Sequence, residues 1–487
     1  MSKIAPQNDN EIGEVVSYFS GVGKIKGLSR VFLHEVLVNE RRAPVALVVG
    51  FDEHEVEALF FDEAFDPAEK VLRSGEVFSV TVTESMIGRV IDGLGAPLDD
   101  LGPVRGEKMP AFRSAPAVIE REQVREQLLT GIKIIDTTLP LGRGQRELII
   151  GDRKIGKSTL AIDTVLNQKY AHPPMYCVYV LCGQKEQKLR ELISIFNEYN
   201  AFLYSVIVAA PAGTSFANQY LAPFVGCVIG EYFRDRGDSA LIVYDDFSKH
   251  AKAYRDIALL LERAPGRETY PGDIFSVHAG LLERAAKLSH KRGGGSLSAL
   301  PIIETEEGDI ASFIATNMTS ITDGQIYLER GLFQKGFLPA VNVGLSVSRV
   351  GSKVQPELLR YVTDGIRLAL VQHKELQKLS QLENTASQEA QKNIFRGELT
   401  LEVLKQRKHT AISWAEQTIL FYSVEAGFLD DIDKEKWVDF EKHLLQLIRN
   451  RYFDLIEQIE KKTFDEKIKS TIIDMLADFK REFLNAI

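Results

Sequence analysis

The rhythm of apolar positions changes twice along the chain. From Glu11 to about Glu84 the apolar residues come in short β-rich runs, Glu14–Phe19, Val31–Val38, Pro44–Gly50, Ala58–Phe61 and Val77–Val82, punctuated by Gly, Asn and Asp. Short strands at close spacing predict a small barrel or sandwich. From about Ser85 to Gln355 near-continuous apolar runs alternate with helix-like stretches. The runs are Glu147–Ile150, Cys177–Cys182, Tyr204–Ala210, Ala240–Asp245, Ile310–Thr316 and Val341–Ser348. Strands apolar on both faces belong to a parallel sheet covered by helices. From Pro356 the spacing is helical, and Ile468, Ile472, Met475, Leu476, Phe479 and Phe483 trace one apolar face near the end. Such a face is expected to pack within a helical domain rather than on a membrane. The pattern predicts a multidomain chain: an N-terminal β-barrel over 1–84, an α/β domain over 85–355 and a C-terminal α-helical domain over 356–487. Gly293-Gly294-Gly295-Ser296 reads as a mobile surface loop.

Composition narrows the function classes. A chain of 487 residues exceeds one core. The formal charge of −9, from 59 basic and 68 acidic residues, argues against nucleic acid as the main partner. Cys177, Cys182 and Cys227 follow no zinc spacing; the first two read as small core residues, and a reducing compartment fits best. Met1–Asn10 is polar and has no signal-peptide apolar region, and the longest apolar stretch, near Ala201–Ala210, is too short to span a membrane. The chain is expected to be soluble, reaching a membrane only through partners.

The strongest chemical signal is Gly151-Asp152-Arg153-Lys154-Ile155-Gly156-Lys157-Ser158, which fits the phosphate-loop pattern Gly-x-x-x-x-Gly-Lys-Ser/Thr. It follows the apolar run Leu148-Ile149-Ile150 and opens a helix-like segment from Thr159 to Lys169, the strand–loop–helix context the motif requires. Backbone amides at a helix N-terminus favour phosphate. Lys157 would reach the terminal phosphates and the Ser158 hydroxyl would ligate Mg2+. Downstream, the apolar strand Ala240–Tyr244 ends in Asp245-Asp246, and Asp245 would hold the metal directly or through water. At Gly183-Gln184-Lys185, where a RecA-like ATPase commonly carries a water-polarising carboxylate, Gln184 is an amide and cannot take the proton. Glutamines position water in some GTPases, and Glu186 is close enough in sequence to substitute, so loss of hydrolysis does not follow strictly.

Pro339-Ala340-Val341-Asn342-Val343-Gly344-Leu345-Ser346-Val347-Ser348-Arg349 resembles the signature of F-type ATP synthase alpha and beta subunits. Gly142–Arg153, Pro265–Asp273, Ser320–Ile326 and Ser346–Ser352 resemble the alpha subunit specifically. The likeness is dense from about Gly88 to Gln355 and looser before and after. It implies a barrel, a RecA-like P-loop nucleotide-binding domain and a helical domain. It further implies an alternating three-plus-three ring with a beta-type catalytic subunit around a central-stalk gamma-type subunit, held peripherally on the cytoplasmic side of the membrane. Alpha-type chains in this family bind Mg2+ and ATP or ADP at sites that do not turn over. Each lends an arginine to a neighbouring catalytic site, and Arg349 matches it; its role would be to stabilise charge on the transferring phosphoryl group in trans. Gln184 stands where the alpha family carries Gln and the beta family Glu. By the same resemblance Gly151 to Ser158 with Thr159 hold the phosphates, and Gln406 and Lys408 belong to the adenine-side loop.

The chain departs from the family in places. Lys154-Ile155 replaces the usual Gln-Thr, Gln406-Arg407-Lys408 replaces Gln-Gly-Gln, and Leu338 replaces an arginine. These changes gather around the inferred base pocket, so altered affinity or base preference is expected. The alpha family carries an extra helical segment before its barrel, where about ten polar residues precede Glu11 here, which puts peripheral-stalk attachment in question. The chain therefore also resembles a specialised F-type-like ATPase of the kind found in mollicutes, driving another machine such as motility. A self-sufficient homohexameric export or secretion ATPase would need a carboxylate near Gln184. A Rho-like nucleic-acid motor is disfavoured by the acidic balance and the lack of aromatic–basic interleaving.

Overall fold

A computed structural model describes residues 11–380, 388–461 and 466–485. The polar segment Met1–Asn10 lies outside the described residues. The chain divides into two compact units: Met1–Glu122, Met175–Glu304 and Ala311–Ile321 form the first, and Gln123–Pro174, Thr305–Ile310 and Thr322–Ile487 the second.

The first unit opens with six strands, β1 (Ile12–Phe19), β2 (Val22–Lys26), β3 (Glu35–Val38), β4 (Pro44–Phe51), β5 (Val56–Phe60) and β6 (Val71–Val77). They close a barrel in the order β1-β2-β5-β4-β3-β6. Its core is Ile25, Leu37, Ala46, Val48, Ala58, Phe60 and Val71. Two expected runs shorten. Over Val31–Val38 the strand begins only at Glu35, because Glu35 N donates to Phe32 O in a turn and His34 adopts a left-handed φ of 65°. Val77–Val82 breaks at Phe78, and Ser79–Val82 pairs instead with Glu107–Pro110.

The remaining strands that frame the sites are β7 (Val90–Asp92), β8 (Leu148–Asp152), β9 (Met175–Cys182), β10 (Ser205–Ala210), β11 (Ser239–Asp245), β12 (Ser296–Thr305), β13 (Gly324–Leu328) and β14 (Val347–Ser348). The helices that matter here are α1 (Lys157–Asn167), α2 (Glu186–Glu198), α3 (Phe216–Asp235), α4 (Phe247–Leu260) and α5 (Phe313–Ile321). In the first unit five parallel strands run β12-β11-β9-β10-β7. Every residue of β10 and β11 is buried, as continuous apolar runs require. Cys177, Cys182 and Cys227 are all buried free thiols. In the second unit β8 pairs in parallel with β13, and β13 antiparallel with β14.

Three sequence expectations are corrected. Ile310–Thr316 is not a strand: Phe313–Ile321 is helix α5, whose Ile314, Ala315, Met318 and Ile321 bury one face at helical spacing. Val341–Ser348 is mostly a turn, because the Asn342 side chain accepts from Gly344 N and Leu345 N and curls the backbone away from a ladder. Val347–Ser348 pairs as a strand, and Val341 makes an isolated antiparallel bridge to Leu328. Only the first half of Gly293–Ser296 is a surface turn, with Gly293 exposed and Gly294 half-buried. Ser296 is fully buried at the start of β12, and a Cβ on Gly295 would lie 2.0 Å from Arg234 O, so the glycine serves a close backbone approach.

Beyond Pro356 the described residues are predominantly helical. In the last helix, α6 (Glu466–Asn485), the six residues of the predicted apolar face are all buried. Among the described residues no helix is long and apolar enough to cross a membrane.

Candidate functional site

In the second unit β8 carries five buried residues, Leu148–Asp152, into the phosphate loop. Gly156 caps α1 at φ +104°, a left-handed conformation that favours glycine. A Cβ on Gly151 would lie 2.6 Å from Leu328 O. Lys157 is buried, and its ammonium donates to Gly151 O at 2.8 Å and Asp152 O at 2.5 Å. The cation is thus held inside the loop it follows. Ser158 and Thr159 are half-buried on the first turn of α1, and Arg153 and Lys154 are exposed. Ile155, one of the departures, is buried and packs toward Gly151. The Asp152 carboxylate faces inward: it accepts from Thr305 Oγ1 (2.8 Å) and Gly308 N (2.7 Å) and pairs with Arg330 Nε (3.2 Å). Asp152 therefore braces the loop with its side chain. An ammonium, a hydroxyl and the amides of a helix N-terminus form a donor set that fits a polyphosphate with a hard cation.

In the first unit β11 ends in a compact acidic cluster. Asp245 and Asp246 are both buried. Tyr179 Oη donates to Asp245 Oδ2 at 2.8 Å, and the Gln184 amide donates to Asp245 Oδ1 at 3.0 Å and Asp246 Oδ2 at 3.2 Å. Asp246 Oδ1 accepts from Lys249 N at 2.7 Å and so caps α4. Each Asp245 oxygen has one neutral donor and keeps lone pairs for a hydrated cation. Glu186 does not join the cluster; it is exposed at the start of α2 and pairs with Arg190 at 2.9 Å.

Burial, with the charge of Asp245 second, pushes the Asp246 carboxyl up to about 7. The folded chain therefore holds a proton here that the unfolded chain releases near pH ~4. Stability falls as pH rises from ~4 to about 7, and the loss is complete above that. Asp246→Asn keeps a capping oxygen for Lys249 N and removes the charge. It is expected to raise Tm by a few degrees more at pH 8 than at pH 5, as read by thermal unfolding; equal shifts at both pH values would count against this account.

The remaining nominated residues lie in the second unit. Arg349 follows β14 directly; it is exposed, and its backbone N donates to Asp323 O at 2.9 Å. The Gln406 carboxamide donates to Gly131 O (2.7 Å) and Thr410 O (2.6 Å) and accepts from Lys133 N (2.8 Å). Gln406 N also donates to Leu338 O at 2.8 Å, which brings two of the departing segments together. Arg407 and Lys408 are exposed. The adjoining His409 stands in no sequence motif. Its Nδ1 lies 2.7 Å from Asp163 Oδ1, and its backbone N donates to the same oxygen at 3.0 Å. This contact pins the 406–410 loop to α1, the helix that begins at the phosphate loop. A lone histidine and a helical aspartate 246 positions apart carry no local motif, so only the fold reveals the pair.

A buried-strand phosphate loop and an acidic strand end, in a chain with a closed barrel and a helical C-terminal part, define a P-loop nucleotide-binding protein of the RecA-like class. Residues 131–348 match the family model described as ATP synthase alpha/beta family, nucleotide-binding domain, and residues 355–479 match that of the ATP synthase alpha/beta chain, C-terminal domain. The chain is 46% identical over 478 residues to the ATP synthase subunit alpha of Aquifex aeolicus (strain VF5), covering 97% of this chain and 94% of that one. It is 44% identical over 474 residues to the ATP synthase subunit alpha of Helicobacter acinonychis (strain Sheeba) and of Helicobacter pylori (strain G27), covering 96% of this chain and 94% of each. The chain belongs to the ATP synthase alpha/beta family and is an alpha-type member of it, a subunit of an ATP synthase complex.

Proposed function

We propose that this chain holds ATP or ADP with Mg2+ at a site it does not turn over, and lends Arg349 to the catalytic site of a beta-type partner. The residues Gly151 to Thr159 would hold the phosphates, with Lys157 as the phosphate-facing cation. Ser158 and Asp245 would serve Mg2+, which when bound neutralises phosphate charge. Gln406 would support the base-side loop through its own carboxamide, and Lys408, exposed like Arg407, would serve the base side of the nucleotide. The partners are a beta-type subunit alternating with this chain in a three-plus-three ring and a gamma-type central stalk. The ring would be held on the cytoplasmic side of the membrane through the rest of the complex.

The observation that carries the reading is the Gln184 amide bridging Asp245 and Asp246. It donates where water activation needs an acceptor. Likeness to ATP synthase alpha subunits also supports this reading over a homohexameric export ATPase or a machine serving motility.

The test is nucleotide content after purification in Mg-ATP, followed by competition with GTP. The native chain is expected to retain nucleotide and to discriminate between bases differently from relatives carrying Gln-Gly-Gln in the 406 loop. Lys157→Ala removes a charge-assisted contact and is expected to weaken retention about 10- to 100-fold. Native protein that emerges nucleotide-free would overturn the reading.

A further inference from the structure

Three consecutive residues at the entrance to β8 grip the segment that carries Arg349. Gln145 Nε2 donates to Ser348 Oγ at 3.2 Å, and Ser348 Oγ in turn donates to Pro140 O at 2.9 Å. Arg146 donates to the Asp323 carboxylate from Nε (2.9 Å) and Nη2 (2.7 Å), while Asp323 O accepts from Arg349 N at 2.9 Å. Glu147 lies beneath the backbone where β13 meets β14: a Cβ on Gly324 would fall 2.5 Å from Glu147 Oε2 and 2.1 Å from Val347 O. Gly324 and Ser348 are register partners across that ladder.

Gln145 and Glu147 are both buried, and neither contributes to the phosphate loop or the acidic cluster. Gln145 Oε1 accepts from Gly142 N at 2.7 Å, which fixes the amide's orientation, and its Nε2 also donates to Glu147 Oε2 at 2.7 Å. Glu147 Oε1 has no hydrogen-bond partner. A fully buried carboxylate with a single neutral donor is costly. Burial raises the Glu147 carboxyl well above the ordinary range, and the charge of Asp323 adds to this, while the Gln145 bond and the charge of Arg349 oppose it. The neutral acid is therefore the state that suits the site.

We propose that Gln145 and Glu147 are positioning residues for Arg349, setting through Ser348 and Gly324 the point at which its backbone leaves the sheet. This rests on the reading that Arg349 reaches a partner's catalytic site. A guanidinium must be placed to within a fraction of an ångström to stabilise developing charge, and a small displacement of its backbone is felt as lost turnover rather than lost binding. The two residues act through the ladder and do not touch the reacting atoms.

The experiment uses the ring assembled with its beta-type and central-stalk partners, and reads assembly, Tm, retained nucleotide, kcat and KM. Glu147→Ala is expected to lower kcat about 10- to 100-fold with KM within about twofold and the ring intact. Glu147→Gln keeps an oxygen for Gln145 without charge and is expected to restore kcat to within about twofold of the native ring. The double variant with Arg349→Ala is expected to be no slower than Arg349→Ala alone, because both changes remove one function. If Glu147→Ala does not assemble, Gln145→Leu carries the test, since it removes the bonds to Ser348 and Glu147 together with that from Gly142 N and is expected to act in the same direction. Native kcat in an intact Glu147→Ala or Gln145→Leu ring, a further tenfold loss in the double variant, or failure of Glu147→Gln to restore turnover overturns the proposal. Unchanged turnover in the Arg349→Ala ring overturns the reading of Arg349 itself and is seen separately from these outcomes.

Discussion

Arg349→Ala is expected to lower turnover of the assembled ring by about 10³- to 10⁵-fold, the scale on which an arginine supplied in trans acts in phosphoryl transfer. The loss should fall on kcat, because the guanidinium meets charge that develops only in the transition state. Nucleotide retained by this chain should not change: Arg349 follows β14, and Asp323 O, which accepts from its backbone N, lies outside the Gly151–Ser158 loop. Arg349→Lys should recover little, since a flexible ammonium lacks the planar fork that meets two oxygens at once. Steady-state hydrolysis by purified ring, alongside nucleotide content of this chain, decides it. A loss under tenfold in an intact ring would place Arg349 outside the catalytic machinery.

The parts of the fold that were legible are those where local pattern and tertiary demand agree. β9, β10 and β11 are buried on both faces and read as unbroken apolar runs. The last helix shows its six buried apolar positions because they form a single stripe. The barrel strands Val22–Lys26 and Val71–Val77 carry no clear signal because charged and small residues leave few apolar positions to count. The start of α5 reads as a strand in one dimension because Phe313-Ile314-Ala315 is apolar in succession, and a short apolar run does not declare its period. Among the candidate residues, Lys157 and Gln184 bond groups that stand in local motifs themselves, whereas Asp245 and Asp152 are also held by residues far along the chain. Tyr179 is buried 66 positions from Asp245, and Thr305 is 153 positions from Asp152. Such pairs are set by strand register, which one-dimensional spacing does not encode. Arg284, fully buried and bonded twice to Glu231 of α3, at 3.0 and 2.6 Å across 53 positions, is hidden from local spacing in the same way, by tertiary packing rather than register.

Gln184→Glu is expected to destabilise the chain by about 3–5 kcal/mol at pH 8, the cost of a charge left uncompensated among buried groups. The native amide donates to Asp245 and Asp246 at 3.0 and 3.2 Å, and a carboxylate in its place turns both contacts from attractive to repulsive. Two like charges about 3 Å apart at an effective dielectric of ~20 repel by about 5 kcal/mol. The chain escapes part of this by taking up a proton, which Asp246 already does up to about 7. A carboxyl raised in the folded state binds a proton that the unfolded chain has released, so the penalty should shrink as pH is lowered through that range. Thermal unfolding at pH 8 and pH 5 should show a large Tm loss at the first and a small one at the second. Hydrolysis at this chain's own site, measured in a ring whose partner lacks its matching carboxylate, should stay absent, because a glutamate pinned among two acids is the member that protonates and then cannot accept from water. Undiminished Tm together with new turnover would mean that the carboxylate turns away from Asp245 and Asp246. The silence of the native site would then rest on the missing acceptor alone, and the amide bridge would have no part in it.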